Sequence, residues 1–184
     1  MEYKSKRGPF TVINEYFVEF KNGPIEPNVK AKEKPQNTVD SIMWQVVLKK
    51  NPDPNYFDEV YERVNIPKQD GIDKGHFIPK QFMKYLIPNY RKDEDNTGFT
   101  HKDNGFNISN QSVVSNRGYK KIKGQLQYEQ EIVDHIEKQK TDVYYEIEEI
   151  KNEDDNVLGR RIFIHFYDSN EKNIHIFIPE KIER

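Results

Sequence analysis

The sequence predicts an α+β fold built on an antiparallel sheet, in one domain spanning residues 1–184. Three observations carry that expectation. The C-terminal part holds three alternating segments, VYYEIEEI, RRIFIHFYD and NIHIFIPE, separated by the turn clusters NEDDN and SNEKN, which is the pattern of a meander. Between about Gln125 and Lys138, Leu126, Ile132, Val133 and Ile136 recur at helical spacing. The chain is also long enough, at 184 residues, to bury one core.

The remaining elements follow in chain order. Residues 10–20, FTVINEYFVEF, are dense in β-branched and aromatic types and predict a strand. Lys21 to Asn37, broken by Pro24, Pro27 and Pro35, predicts an irregular loop. Val39 to Leu48 carries Ile42, Met43, Val46 and Val47 and is short enough for strand or helix. Another Pro-interrupted segment leads to Gly71. Pro79 suits the first turn of a helix that sets Phe82, Met83 and Leu86 on one face before Pro88 stops it. Arg91 to Gly105 is polar and rich in Gly and Asp, and reads as a surface loop. No internal repeat is found.

Composition narrows the classes. Hydrophobic residues make up 34% and charged residues 33%, but eleven Tyr, eleven Phe and one Trp supply large burying side chains. The expectation is a folded domain with a charged surface and long polar loops. No apolar run approaches the length that crosses a bilayer. The N-terminus, MEYKSKRGPFTVINEYF, has basic residues without an apolar h-region and does not read as a signal peptide. With no Cys, disulfides, thiolate metal sites and cysteine nucleophiles are excluded together. Net charge is −2, modest for a chain that meets phosphates, so the distribution carries the argument. Basic residues gather at Lys4, Lys6 and Arg7, at Lys49 and Lys50, and at Arg117, Lys120, Lys121 and Lys123; acidic ones gather at Glu146, Glu148, Glu149, Glu153, Asp154 and Asp155.

The sharpest local signal is Gly71-Ile72-Asp73-Lys74-Gly75-His76-Phe77-Ile78-Pro79. A histidine is close to neutral at pH 7 and can act as a base, yet alone it reads more readily as structural. The downstream segments change its meaning. They run Asn107-Ile108-Ser109-Asn110-Gln111-Ser112-Val113-Val114-Ser115-Asn116-Arg117-Gly118, then Gly124-Gln125-Leu126-Gln127-Tyr128-Glu129. Taken singly, Asn107 and Asn116 read as turn or capping residues, Glu129 as an exposed helix residue and Tyr128 as core. His101, His135, His165 and His175 form no ligand cluster by spacing and read as structural.

Taken in order, these segments resemble the DNA/RNA non-specific endonuclease family, the ββα-metal or His-Me finger nucleases. Within it they look most like the branch of secreted DNases and DNA-entry nucleases. That branch carries Asp-Arg-Gly-His, then Asn-x-x-x-Gln-x-x-x-x-Asn, then Gly-Gln-x-x-Tyr-Glu. The likeness covers roughly residues 71–136; nothing before about Gln69 matches.

The resemblance implies a ββα-metal core, residues 71–136, on a central antiparallel sheet with flanking helices. One strand would end at Asp73–His76, a second would carry Phe106–Ser109, and a helix would present Asn116. It implies an endonuclease that hydrolyses phosphodiester bonds of DNA, and of RNA by extension, to 5′-phosphate and 3′-OH ends. His76 would be the general base, with Asp73, Lys74 and Glu129 in the catalytic set. Asn116 would be the sole direct protein ligand of a hydrated Mg²⁺, for which Mn²⁺ can substitute, and Glu129 would hold the metal's waters. Arg117 and Lys120 would meet the substrate, while Asn107 and Gln111 would orient the metal-site loop or bond phosphate oxygens. The family places such enzymes outside the producing cell. A toxin domain with a cognate immunity protein, or a catalytically weak nucleic-acid-binding module, fits the same residues. One departure stands out: Lys74 replaces the family's Arg, a point charge where a planar fork grips phosphate.

Overall fold

The computed structural model describes residues 1–28, 42–91 and 97–181. Parts of three loop or strand readings, at 29–41 and 92–96, lie outside the described residues. The elements, in order, are β1 (Tyr3–Ser5), β2 (Gly8–Ile13), β3 (Phe17–Phe20), β4 (Met43–Leu48), β5 (Ile72–His76), a 3-10 turn (Lys80–Tyr85), β6 (Ile108–Ser112), α1 (Val113–Arg117), α2 (Gln125–Gln139), β7 (Val143–Lys151), β8 (Val157–Phe166) and β9 (Ile174–Pro179). Seven strands form one antiparallel sheet in the order β1-β2-β3-β9-β8-β7-β4, and β5 and β6 form a separate two-stranded ribbon. This is the α+β class that the sequence predicts.

The C-terminal meander forms as expected, because its side chains alternate between two faces that both need cover. One face carries Val46 and Leu48 of β4, Tyr145 and Ile147 of β7, Ile162 and Ile164 of β8, and Ile176 and Ile178 of β9. Ile132 and Ile136 of α2, together with Phe77, Phe82 and Met83, pack onto it. The same alternation decides Val39–Leu48 in favour of strand: Trp44, Val46 and Leu48 point inward, and Glu146 lies across from Gln45 on the other face.

That other face is polar yet buried. Arg161 bonds Glu148 at 2.9 Å and also pairs with Glu146, while His175 Nε2 accepts from Arg161 at 2.9 Å. Burial, together with the Arg161 and Arg7 charges, pushes His175 down to about 3, so its imidazole is neutral and free to accept. Phe10, Phe20, Ile150 and Phe177 form a small second core beside this network.

Two expectations are corrected. Residues 10–20 are not one strand: Asn14 and Glu15 adopt positive φ and fold the segment into the β2–β3 hairpin. The described part of Arg91–Gly105 is not simply a surface loop. Phe99 and Asn104 are fully buried there, and Asn104 accepts from Glu62 N while donating to Val60 O and Phe99 O. Among the described residues no helix is long and apolar enough to cross a membrane.

Candidate active site

The ribbon is made of short polar strands, IDKGH and ISNQS, which cannot bury themselves and must be held from beneath. Arg160 of β8 does this. Its guanidinium donates to Gly75 O at 3.0 Å, His76 O at 3.2 Å, Ser109 Oγ at 2.9 Å and Gln125 Oε1 at 2.9 Å. The plane lies 3.9 Å over the Phe77 ring, a cation–π contact in a site without water access. Such close approach requires Gly75: a Cβ there would sit 2.8 Å from Arg160 Nη2 and closer still to Gln111 Oε1.

His76 closes β5. Its Nε2 lies 2.6 Å from Thr100 O, and only the Nε2–H tautomer makes that a hydrogen bond. Nδ1 is left as the lone-pair nitrogen, with no partner among the described residues. Burial lowers the imidazole pKa, the Thr100 carbonyl partly opposes this, and the Arg160 charge lowers it further. The ring is therefore neutral at pH 7.

Asn116 comes from α1, whose first turn is capped by Ser112 accepting from Ser115 N at 3.2 Å. The helix ends at Gly118, at φ 80°, where a side chain would collide with the loop that returns at Ile122 O. Asn116 Nδ2 donates to Asp73 Oδ2 at 3.0 Å, so its oxygen points away from Asp73. Arg117 grips the same carboxylate through Nε and Nη2, at 2.8 and 2.7 Å. Burial alone would raise the Asp73 pKa, but the bonds from Asn116 and Arg117 and the Arg117 charge outweigh it and hold the group below the usual range.

The other predicted residues sort by burial. Asn107 is fully buried; it accepts from Ile78 N at 2.8 Å and donates to Ile78 O at 2.9 Å, tying down the chain after His76. Gln111 is fully buried too, and donates to Ser115 Oγ and Gln125 Oε1 at 3.0 Å each. Neither side chain reaches the surface, and the bonds they make hold the ribbon and the chain after His76 in place. Arg117 is not a free fork either, being engaged with Asp73, although its side chain stays 60% exposed. Lys120 is exposed with its ammonium over the Tyr119 ring at 5.2 Å. Lys74 is half-buried, alternates onto the His76 face of β5, and makes no ion pair with any described residue.

Glu129 is not the exposed helix residue of the bland reading. It is buried and accepts from Gln125 Nε2 at 2.9 Å, while its Oε1 meets no well-placed donor among the described residues. Burial raises its pKa to about 8, against smaller opposing effects of Gln125, Arg160 and Gln81. Gln125 in turn donates to His76 O at 2.6 Å, so Glu129 stands two bonds from the backbone of the candidate base.

Sequence reasoning missed Arg160, Thr100 and the bracing role of Gln125. Arg160 had one legible signal, a pair of arginines set inside an otherwise apolar strand segment. Thr100 had none, because it acts through its backbone carbonyl.

No three His, Cys, Asp or Glu side chains gather as a chelating cluster among the described residues. A hydrated hard cation fits the residues present, because the Asn116 amide offers a neutral oxygen turned away from Asp73.

Fold and site thus define an α+β architecture in which a polar ribbon and a short helix are mounted on a large antiparallel sheet. That architecture is shared with NucA from Streptococcus agalactiae. The structure of NucA with magnesium bound matches with a TM-score of 0.59 at 17% identity, over 95% of this chain and 83% of that one. The metal-free structure of NucA matches with a TM-score of 0.53 at 15% identity, over the same shares. At these identities the likeness establishes the fold. No protein-family profile matches the chain, and no curated protein matches it.

Proposed function

We propose that this protein is a metal-dependent nuclease that hydrolyses phosphodiester bonds of nucleic acid, acting as a single domain. The observation that carries the reading is a pair of pre-oriented groups. Thr100 O fixes the His76 ring so that Nδ1 is the free base, and Asp73 fixes the Asn116 amide so that Oδ1 is the free ligand. Shared fold with the magnesium-bound NucA, a nuclease, supports it.

In this mechanism His76 Nδ1 takes a proton from a water molecule as its oxygen bonds to phosphorus. The P–O3′ bond opposite breaks, leaving a 5′-phosphate on one product and, once the departing oxygen takes a proton from solvent, a 3′-OH on the other. Asn116 would hold Mg²⁺, or Mn²⁺ in its place, and that ion supplies positive charge to the phosphate and the leaving oxygen. Asp73 keeps Asn116 and Arg117 aligned, and Lys74 offers a further cation on the His76 face. Contacts of this kind go to the sugar–phosphate backbone, so base-sequence selectivity is expected to be low.

A plasmid-nicking assay tests this. Cleavage is expected with Mg²⁺ and none with EDTA. His76→Ala is expected to lose about 10²–10⁴-fold in rate, the worth of a general base, with an unchanged circular dichroism spectrum. Activity in excess chelator, or more than a tenth of wild-type activity from the variant, would sink the assignment.

A further inference from the structure

A surface cavity of about 570 Å³ lies beside the loop that follows Arg117. Tyr16 and Phe17, at the β2–β3 turn, form one wall; Lys121–Lys123 form the other, with Tyr128 and β9 behind. Its size is that of a ligand pocket rather than of a packing defect. The rings at its rim are not core: Tyr16 and Phe17 are 45% and 47% exposed, with centroids 4.5 Å apart.

The rim carries Lys121 and Lys123 beside Glu15 and Glu131. Lys121 makes no ion pair with any described residue, and Lys120 stands next to it. Of the two acidic side chains present, Glu131 is paired with Lys123, which leaves Glu15 at the hairpin end. Exposed rings beside the exposed ammonium groups of Lys120 and Lys121 suit a polymer with planar apolar faces on an anionic backbone. The lysine wall is rigid in its backbone, since Tyr119 and Ile122 exchange bonds of 3.0 and 2.9 Å and Gln127 Nε2 donates to Arg117 O at 2.7 Å. It begins five residues after Asn116, so one short stretch of chain joins it to the helix that presents Asn116. A duplex keeps its bases stacked inside and cannot present them to such a groove.

We propose that this groove receives unpaired bases of the substrate strand, which makes single-stranded or locally unpaired nucleic acid the favoured substrate; the inference rests on the nuclease reading above. Polarisation of a fluorescein-labelled oligothymidylate in EDTA measures binding. Steady-state cleavage of the same oligonucleotide in Mg²⁺, free and annealed to its complement, measures selectivity. The Tyr16→Ser, Phe17→Ser double variant is expected to raise the single-strand Kd and KM about tenfold, the scale of one lost stacked base, with duplex KM within about twofold. Lys121→Glu, an exposed change on the opposite wall, is expected to weaken single-strand binding in the same direction and guards against misfolding of the hairpin variant. Unchanged single-strand binding in both variants overturns the groove, as does an equal loss on single strand and duplex. Loss of self-association in light scattering, with oligonucleotide binding intact, also overturns it and assigns the face to a second copy of the chain. If the wild-type protein cleaves nothing, the nuclease reading falls by itself and binding in EDTA still decides the groove.

Discussion

The 3.0 Å bond from Asn116 to Asp73 decides which atom of a symmetric-looking amide faces outward, and so whether the site offers a donor or an oxygen ligand. At this scale Lys74 gives the sharpest test. It shares the His76 face of β5 and has no ion-pair partner among the described residues, so its charge is available to a phosphate. Lys74→Ala is expected to cut kcat/KM about ten- to a hundredfold, the loss of one charge-assisted hydrogen bond of about 1.5–3 kcal/mol. Lys74→Arg is expected to retain activity, because the fork can make the same bond. Rates at matched ionic strength decide it, and wild-type turnover from the alanine variant would mean that the side chain never touches the phosphate. His76, Asp73 and Asn116 were legible in the sequence as motif positions, and the fold brings Asn116 against Asp73 on the strand that His76 closes. Asn107 and Gln111 were legible only as members of the motif. Their residue type suits phosphate and bracing equally, and their burial and internal bonds are features that spacing does not encode.

Among the elements, the β5–β6 ribbon depends most on a residue outside it. Its strands have too few apolar side chains to hold themselves, and the carbonyls of Gly75, His76 and Ser109 converge on Arg160. Arg160→Met keeps much of the volume but leaves those acceptors buried without a donor. A stability loss of at least about 1.5–3 kcal/mol is expected, the scale of one hydrogen bond to a charged group. Urea unfolding measures it, and a midpoint within error of wild type would refute the bracing role. The meander and α2 were readable because period-2 and period-3.6 patterns persist over many residues there. The β2–β3 hairpin was not, because FTVINEYFVEF keeps strand-forming types up to and beyond its turn. The bend rests on Asn14 and Glu15 in a left-handed conformation, a role that favours Asn but carries little signal in Glu.

For the whole molecule, Glu129 links stability to pH. Its pKa is about 8 in the fold against 4.5 for the free group, so the native state prefers it protonated. Its contribution is complete below pH 4.5 and is lost as pH rises through about 8, because ionising a buried carboxyl costs the fold. In EDTA, Glu129→Gln is therefore expected to gain on wild type as pH rises from about 5.5 to 8.5, by an amount of the order of a few kcal/mol. Thermal melts of both proteins across that range test it, and a constant difference would show that the carboxyl is not held protonated. Mg²⁺ is expected to narrow the gap at high pH by favouring the ionised form.

The sheet order carries one more consequence. β3 joins β9 through the single residue pair Phe17↔Ile176, whereas β8 meets β7 along its whole length. The first twenty residues hold on chiefly by side chains: Tyr3 and Phe10 stack on each other and meet Phe177 at tilted angles, and Ser5 donates to Glu148 at 2.5 Å. A seam with so few backbone bonds can part while the rest stays folded. In native-state hydrogen–deuterium exchange, the amides shared by β2 and β3 are expected to exchange as a group, well ahead of those between β7 and β8. Their opening free energy should be insensitive to Arg160→Met, which loosens the opposite face. Equal protection across both groups would mean that the N-terminal hairpins and the meander unfold as one unit.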